Sequence, residues 1–326
     1  MNMPQGFTFN VLDVDKFATR EMYGKVLAEL SGTDERIVVL TADLMRSNKT
    51  IDFWKVCPER FFNFGIAEQN MMAAAAGLAI SGKIPFVSTY AAFASLRCAE
   101  QVRTDIAYPN LNVRIISSHS GLSMGNGGTT HHATEDVAVT RSMANMTVIV
   151  PADANECAKA TIASLDYEGP IYMRLGRGAE PIVHKTEFDF EIGKAITIRE
   201  GTDFTIIANG ICVMASIRAA RKLEKQDGVS TRIIDMHTVK PLDTGVIVKA
   251  AEETGKIITV EEHSIVGGLG GAVAETLADA GLGVKFKRLG IPDIYSVIGQ
   301  PDDLYERYGL DDNGIYAAAK EFLGIA

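Results

Sequence analysis

Cysteine is scarce: Cys57, Cys98, Cys157 and Cys212 are scattered over 326 residues, with no CxxC pair. That excludes a disulfide framework and leads to the expectation of a reduced, cytoplasmic protein. No apolar run reaches transmembrane length, and the N-terminus lacks a signal-peptide pattern. Positive charge is also in deficit, since 32 Lys and Arg against 41 Asp and Glu leave a net charge of -9. Such a surface argues against nonspecific nucleic-acid binding and against an anionic membrane, but leaves room for a local basic pocket taking a phosphorylated small molecule. HExxH and Cys/His spacings are missing, so His119, His131 and His132 are not expected to ligate a metal. The glycine-rich stretch Gly267–Gly271 fits neither GxGxxG nor GxxxxGKS/T and reads as a helix start. No tandem repeat is apparent.

Glycine, by contrast, is plentiful at 30 residues and clusters at element ends. Alternating strand and helix patterns give two open, mostly parallel α/β domains. The pattern predicts an arm over 1–15 and then a helix from Lys16 to about Leu30, with Arg20 near its start. Strands are expected at 37–41, 61–64, 84–88, 112–117, 147–150 and 170–174. A second unit follows, with strands at 204–208, 229–235, 256–261 and 284–289. Asp43 falls just past a strand's carboxyl end, the edge that lines the ligand crevice in open α/β sheets. Ser47 and Asn48 follow in the same loop.

The stretch 61–82 reads FFNFGIAEQNMMAAAAGLAISG. Its helix, from about Ala67 to Ile80, is nearly all Ala, Met, Gly and Leu and is expected to be buried and closely packed. Glu68 sits in the first turn, where the positive end of the helix favours a carboxylate. Tyr90 and Phe93, three residues apart, can share a face, as a core pair or as a flat slot for a planar ring. His119 opens the polar, glycine-rich loop GLSMGNGGTTHHATED, too polar for a plain connector. Arg177 stands in a glycine-flanked turn.

These pieces fall together in one order: Thr41-Ala42-Asp43-Leu44 with Ser47-Asn48, Gly65-Ile66-Ala67-Glu68-Gln69, Ser88-Thr89-Tyr90 with Phe93, His119 with Gly125 and His131, and Glu261-Glu262-His263. The chain resembles the C-terminal part of transketolase and, more loosely, of 1-deoxyxylulose-5-phosphate synthase. The resemblance runs nearly end to end. It implies a pyrimidine-binding domain over 16–190 and the family's C-terminal domain over 191–326.

In that family thiamine diphosphate lies between domains of different subunits, and a GDG motif serves the diphosphate and a divalent metal. GDG is absent here and the chain is about half the family's length. The resemblance therefore implies one subunit of a split enzyme, inactive alone. A GDG-bearing N-terminal subunit would hold the diphosphate and the Mg2+, with no metal ligand on this chain. The resemblance implies two copies of each chain, with homodimerisation of the pyrimidine domain, and the small residues near Ala73–Ala79 fit a tight subunit interface whose partner the sequence leaves open.

By the same resemblance Glu68 bonds the aminopyrimidine and shares its proton. Tyr90 (usually phenylalanine in the family) and Phe93 stack on the ring, and Asp43 lines the cofactor pocket. Arg20, Ser47, His119 and Arg177 match sugar-phosphate ligands, and His131 matches a residue at the ketose hydroxyls. The implied reaction moves a two-carbon ketol unit from a ketose phosphate to an aldose phosphate. One departure stands out. Gly127 replaces the aspartate that reads a sugar hydroxyl, which puts the standard xylulose 5-phosphate and ribose 5-phosphate pair in doubt and leaves a branched ketose phosphate open. His132, in place of the usual glutamine, is read as supplying compensating contacts. The alternatives are the beta subunit of a 2-oxo acid dehydrogenase, a deoxyxylulose-phosphate-synthase-like fragment, and a non-enzymatic homologue.

Overall fold

Ile37-Val38-Val39-Leu40-Thr41 has no polar alternation, and all five residues are buried. Such a strand is covered on both faces, as in parallel sheets. A computed structural model describes residues 11–325, so most of the expected arm lies outside the described residues. In chain order the first strands are Lys16–Phe17 (β1), Ile37–Thr41 (β2), Phe61–Asn63 (β3), Ile84–Tyr90 (β4), Arg114–Ser118 (β5), Thr147–Ile149 (β6) and Ile171–Arg174 (β7). Then come Glu180–Pro181 (β8), Ile196–Arg199 (β9), Phe204–Ala208 (β10), Thr231–Asp235 (β11), Thr238–Lys240 (β12), Lys256–Ser264 (β13) and Lys285–Ile291 (β14).

The first large sheet runs β12-β6-β7-β5-β4-β2-β3, and the second runs β14-β13-β10-β11-β9. Within them, only the β12–β6 and β11–β9 pairs are antiparallel. The expected pair of open, mostly parallel α/β domains is therefore present. On one face of the first sheet, Met22, Val26 and Leu27 of helix Thr19–Leu30 meet Ala154, Cys157 and Ala158 of helix Ala154–Ala163. On the other, helix Glu68–Ile80 contributes Met71, Met72, Ala75 and Ala76. Each large apolar side chain so buried contributes about 1.5–3 kcal/mol.

Three sequence expectations change. Lys16 and Phe17 are not helical; they pair antiparallel with Pro181 and Glu180, and the helix begins at Thr19. Helix Glu68–Ile80 buries one face only. Ala73 and Gly77 are exposed, and Ile80 is 74% exposed. Finally, Thr238–Lys240 leaves the second unit and adds an antiparallel edge strand to the first sheet. Three residues are too few to show an alternation.

The two sheets are pinned through Arg174, at the end of β7. Its Nε donates to both carboxylate oxygens of Asp136, at 3.2 and 2.9 Å, and Nη2 donates to the carbonyls of Ala133 and Glu262. Nη1 lies 3.3 Å from the Glu262 carboxylate, which also accepts from the Leu122 N–H and the Tyr305 hydroxyl.

Candidate active site

The crevice forms where β2 leads to β3 on one side and the chain returns as β4 on the other. Register places its residues: Thr41 lies beside Ser88, and Tyr90 beside Ser118. The segments that leave these strands carry Asp43, Tyr90 and His119 out at one edge, as the sequence predicts. Asp43 (φ 60°) and His119 (φ 59°) both adopt left-handed backbone, uncommon away from glycine. The Asp43 N–H donates to Asn63 Oδ1 at 2.9 Å, which fixes the turn.

Four rings gather at this edge. Tyr90 lies 5.7 Å from Phe93, 4.1 Å from His119 and 6.2 Å from His131 between centroids. His131 meets Phe93 edge-on at 5.3 Å. Helix Glu68–Ile80 begins nearby and holds the Glu68 carboxylate almost fully buried, at 3% exposure. Arg97 Nη1 donates to Glu68 Oε1 at 2.7 Å, and the same guanidinium lies 4.1 Å over the Phe93 ring. The sequence alone did not single out Arg97. The signal was its four-residue spacing from Phe93, which on a helix stacks a cation on a ring.

On the other side, Arg20 Nε donates to the Arg177 carbonyl at 2.7 Å, and Nη1 to the Ser47 carbonyl at 2.6 Å. This one side chain ties the Ser47 loop and the Arg177 turn together. Burial lowers the Arg20 pKa, with Arg177 adding to the effect. His119 is pushed down to about 3, first by burial and then by Arg20, Arg177 and His131. It therefore meets a ligand as a neutral hydrogen-bonding ring. Its Nδ1 lies 2.7 Å from Ser118 Oγ, whose hydroxyl also donates to Asn48 Oδ1 at 2.6 Å. A cavity of about 320 Å3 opens beside these groups, lined by Arg20, Ser123, Arg177, Glu180, Asp302 and Tyr305.

The glycine-rich loop resolves two further expectations. His132 is buried and its Nε2 bonds the Gly125 carbonyl at 2.9 Å, so it secures the loop rather than facing the crevice. A Cβ at Gly127 would stand 2.6 Å from Met124 Cγ and 3.2 Å from His131 Cβ. Packing around Met124 has thus taken the space an aspartate would need.

Among the described residues, one set has ligand atoms close enough to hold a metal, and it lies away from the histidines of this loop: Glu156, His184 and Asp235. His184 Nε2 is 3.2 Å from Asp235 and 3.7 Å from Glu156. Burial raises the pKa of both carboxyls, and a neighbouring acid adds to the rise in each: Asp235 for Glu156, and Asp153 for Asp235. Glu156 is also part of a reciprocal helix cap: its N–H donates to Asp153, while its carboxylate accepts from the Ala152 N–H.

Residues 15–181 match the family model for the transketolase pyrimidine-binding domain, and residues 193–315 that for the transketolase C-terminal domain. This chain belongs to the transketolase family. Its pyrimidine-binding fold is consistent with a thiamine diphosphate-binding family, and the buried Glu68 carboxylate beside the tilted Tyr90–Phe93 pair fits a flat, proton-sharing heterocycle. The chain is 45% identical over 298 residues to a putative transketolase C-terminal section of Methanocaldococcus jannaschii, covering 91% of this chain and 93% of that one. It is 43% identical over 307 residues to one subunit of the apulose-4-phosphate transketolase of Phocaeicola vulgatus, covering 94% and 97%. Among solved structures, a split-gene transketolase in the form of an inactive beta4 tetramer superposes with a TM-score of 0.86 at 45% identity, covering 95% of this chain and 99% of that one. No described helix of this transketolase-family subunit is long and apolar enough to cross a membrane.

Proposed function

We propose that this transketolase-family subunit contributes the pyrimidine half of a composite active site that moves a two-carbon ketol unit from a ketose phosphate to an aldose phosphate. Its partner is a GDG-bearing N-terminal subunit holding the diphosphate and Mg2+. The observation that carries this reading is the buried Glu68 carboxylate at a helix start beside the Tyr90–Phe93 pair, on the same sheet edge as His119. When bound, thiamine diphosphate supplies the carbanion chemistry. Glu68 would share a proton with the pyrimidine ring nitrogen, giving it up to the ring and taking it back, with burial keeping water from competing. Tyr90 and Phe93 orient the ring, and Asp43 closes the pocket at the end of β2.

Arg20, Ser47 and Arg177 are the phosphate-holding set, braced by the Arg20 hydrogen bonds, and neutral His119, whose Nδ1–H is spent on Ser118 Oγ, presents Nε2 beside them as an acceptor for a ligand hydroxyl. His131, braced by Thr130 Oγ1 at 2.9 Å, is placed for the sugar hydroxyls. With Gly127 offering no carboxylate and Met124 beside it, a sugar hydroxyl goes unread there, which favours a ketose phosphate other than the standard pair. The P. vulgatus relative, named for apulose 4-phosphate, supports that direction.

The test mixes this chain with a GDG-bearing subunit, thiamine diphosphate, Mg2+ and a panel of straight and branched ketose phosphates. Ketol transfer is expected only in the mixture. Decarboxylation of a 2-oxo acid instead would reassign the chain to the dehydrogenase type.

A further inference from the structure

The two contacts assigned above to the aminopyrimidine are already made by Arg97. Its guanidinium is hydrogen-bonded to the Glu68 carboxylate at 2.7 Å and lies over Phe93 at 4.1 Å. A guanidinium and a 4-aminopyrimidine share the features such a seat selects: both are flat, both present N–H groups in the plane, and both offer a face to an aromatic ring. The pair is also unequal. The Glu68 side chain is 3% exposed and fixed in the first turn of its helix, whereas the Arg97 side chain is 44% exposed on a long flexible stem. The carboxylate is the fixed half and the cation the movable one.

We propose that Arg97 is an internal occupant of the pyrimidine seat. In the chain without cofactor it compensates the buried Glu68 charge and covers Phe93, and it must swing outward for the cofactor ring to enter. This inference rests on the assignment of Glu68 and Phe93 to the ring. Arg97 thereby couples two states. The empty seat is closed and charge-balanced, and the loaded seat releases Arg97 to solvent or to the partner subunit. A buried carboxylate left alone in the empty seat would be costly, which gives the occupant its purpose.

The test is calorimetric titration of thiamine diphosphate, with Mg2+, into the reassembled complex. Arg97→Leu removes the competitor and is expected to tighten the dissociation constant about tenfold. Arg97→Lys keeps a cation but not the stacked plane, and is expected to fall between wild type and Arg97→Leu. In parallel, binding of 4-amino-5-hydroxymethyl-2-methylpyrimidine to the full chain alone, followed by ligand-observed NMR, is expected to strengthen in the same order. Weaker or unchanged binding in both Arg97 variants would overturn the proposal and make Arg97 a support of the bound ring or a bystander. Should Arg97→Leu fail to fold, the Arg97→Lys result decides alone. Glu68→Gln separates the underlying assignment: if it leaves cofactor affinity and ketol transfer both unchanged, the seat itself is misassigned, whatever the Arg97 variants do.

Discussion

Glu180 makes the residue-scale chemistry of this chain measurable. It lines the cavity beside Arg20 and Arg177, 8% exposed, and burial pushes its carboxyl up to about 8. A carboxyl whose folded pKa is raised favours the fold while it stays protonated. Its contribution is complete below the ordinary value of 4.5, falls as pH rises, and is gone above about 8. Thermal unfolding between pH 5 and pH 8.5 should therefore show a component, on the order of a few kcal/mol, that Glu180→Gln lacks. Equal pH slopes in both proteins would contradict it. Strand ends and helix starts put Glu68, Tyr90 and His119 near one sheet edge from the sequence alone, and the resemblance to transketolase added Phe93 and His131 to that set. Arg97 was not, because its role depends on contact with a residue 29 positions away. His132 misled for a related reason. Adjacency to His131 suggested a shared role, but the loop turns its ring inward to Gly125.

At the scale of elements, the strands were the most readable feature. Continuous apolar runs such as 37–41 and 204–208 coincide with fully buried strands. What escaped were pieces whose structure is set by pairing rather than pattern: β1 with β8, and β12 with β6. The exposed stripe on helix Glu68–Ile80 likewise contradicts its composition, which is apolar all round. The junction between the sheets depends on Arg174, a single cation facing Asp136 and Glu262 in a dry setting. Arg174→Met should lower stability by about 3–5 kcal/mol in urea unfolding, because two carboxylates lose their counter-charge. A loss under about 1 kcal/mol would show that protonation absorbs the change and that the arginine is dispensable to the junction.

For the molecule as a whole, the site is one-sided. A buried carboxylate, a ring pair and the Arg20 brace meet at one sheet edge, and helix Glu68–Ile80, which starts there, keeps an exposed side that includes Gln69, Ala73 and Gly77. Family membership and fold class follow from the sequence together with the matched domains. The identity of the sugar does not, since Gly127 is a missing contact and a missing contact names no ligand. The central claim is that Glu68 on this chain activates a cofactor whose other half is held by a partner. Deuterium exchange at C2 of thiamine diphosphate, followed by NMR after acid quench, tests it most directly. Exchange should be fast only when both subunits are present, and Glu68→Ala in the same mixture should slow it by roughly 100-fold or more. Fast exchange in the Glu68→Ala mixture, or with the GDG-bearing subunit alone, would contradict the account.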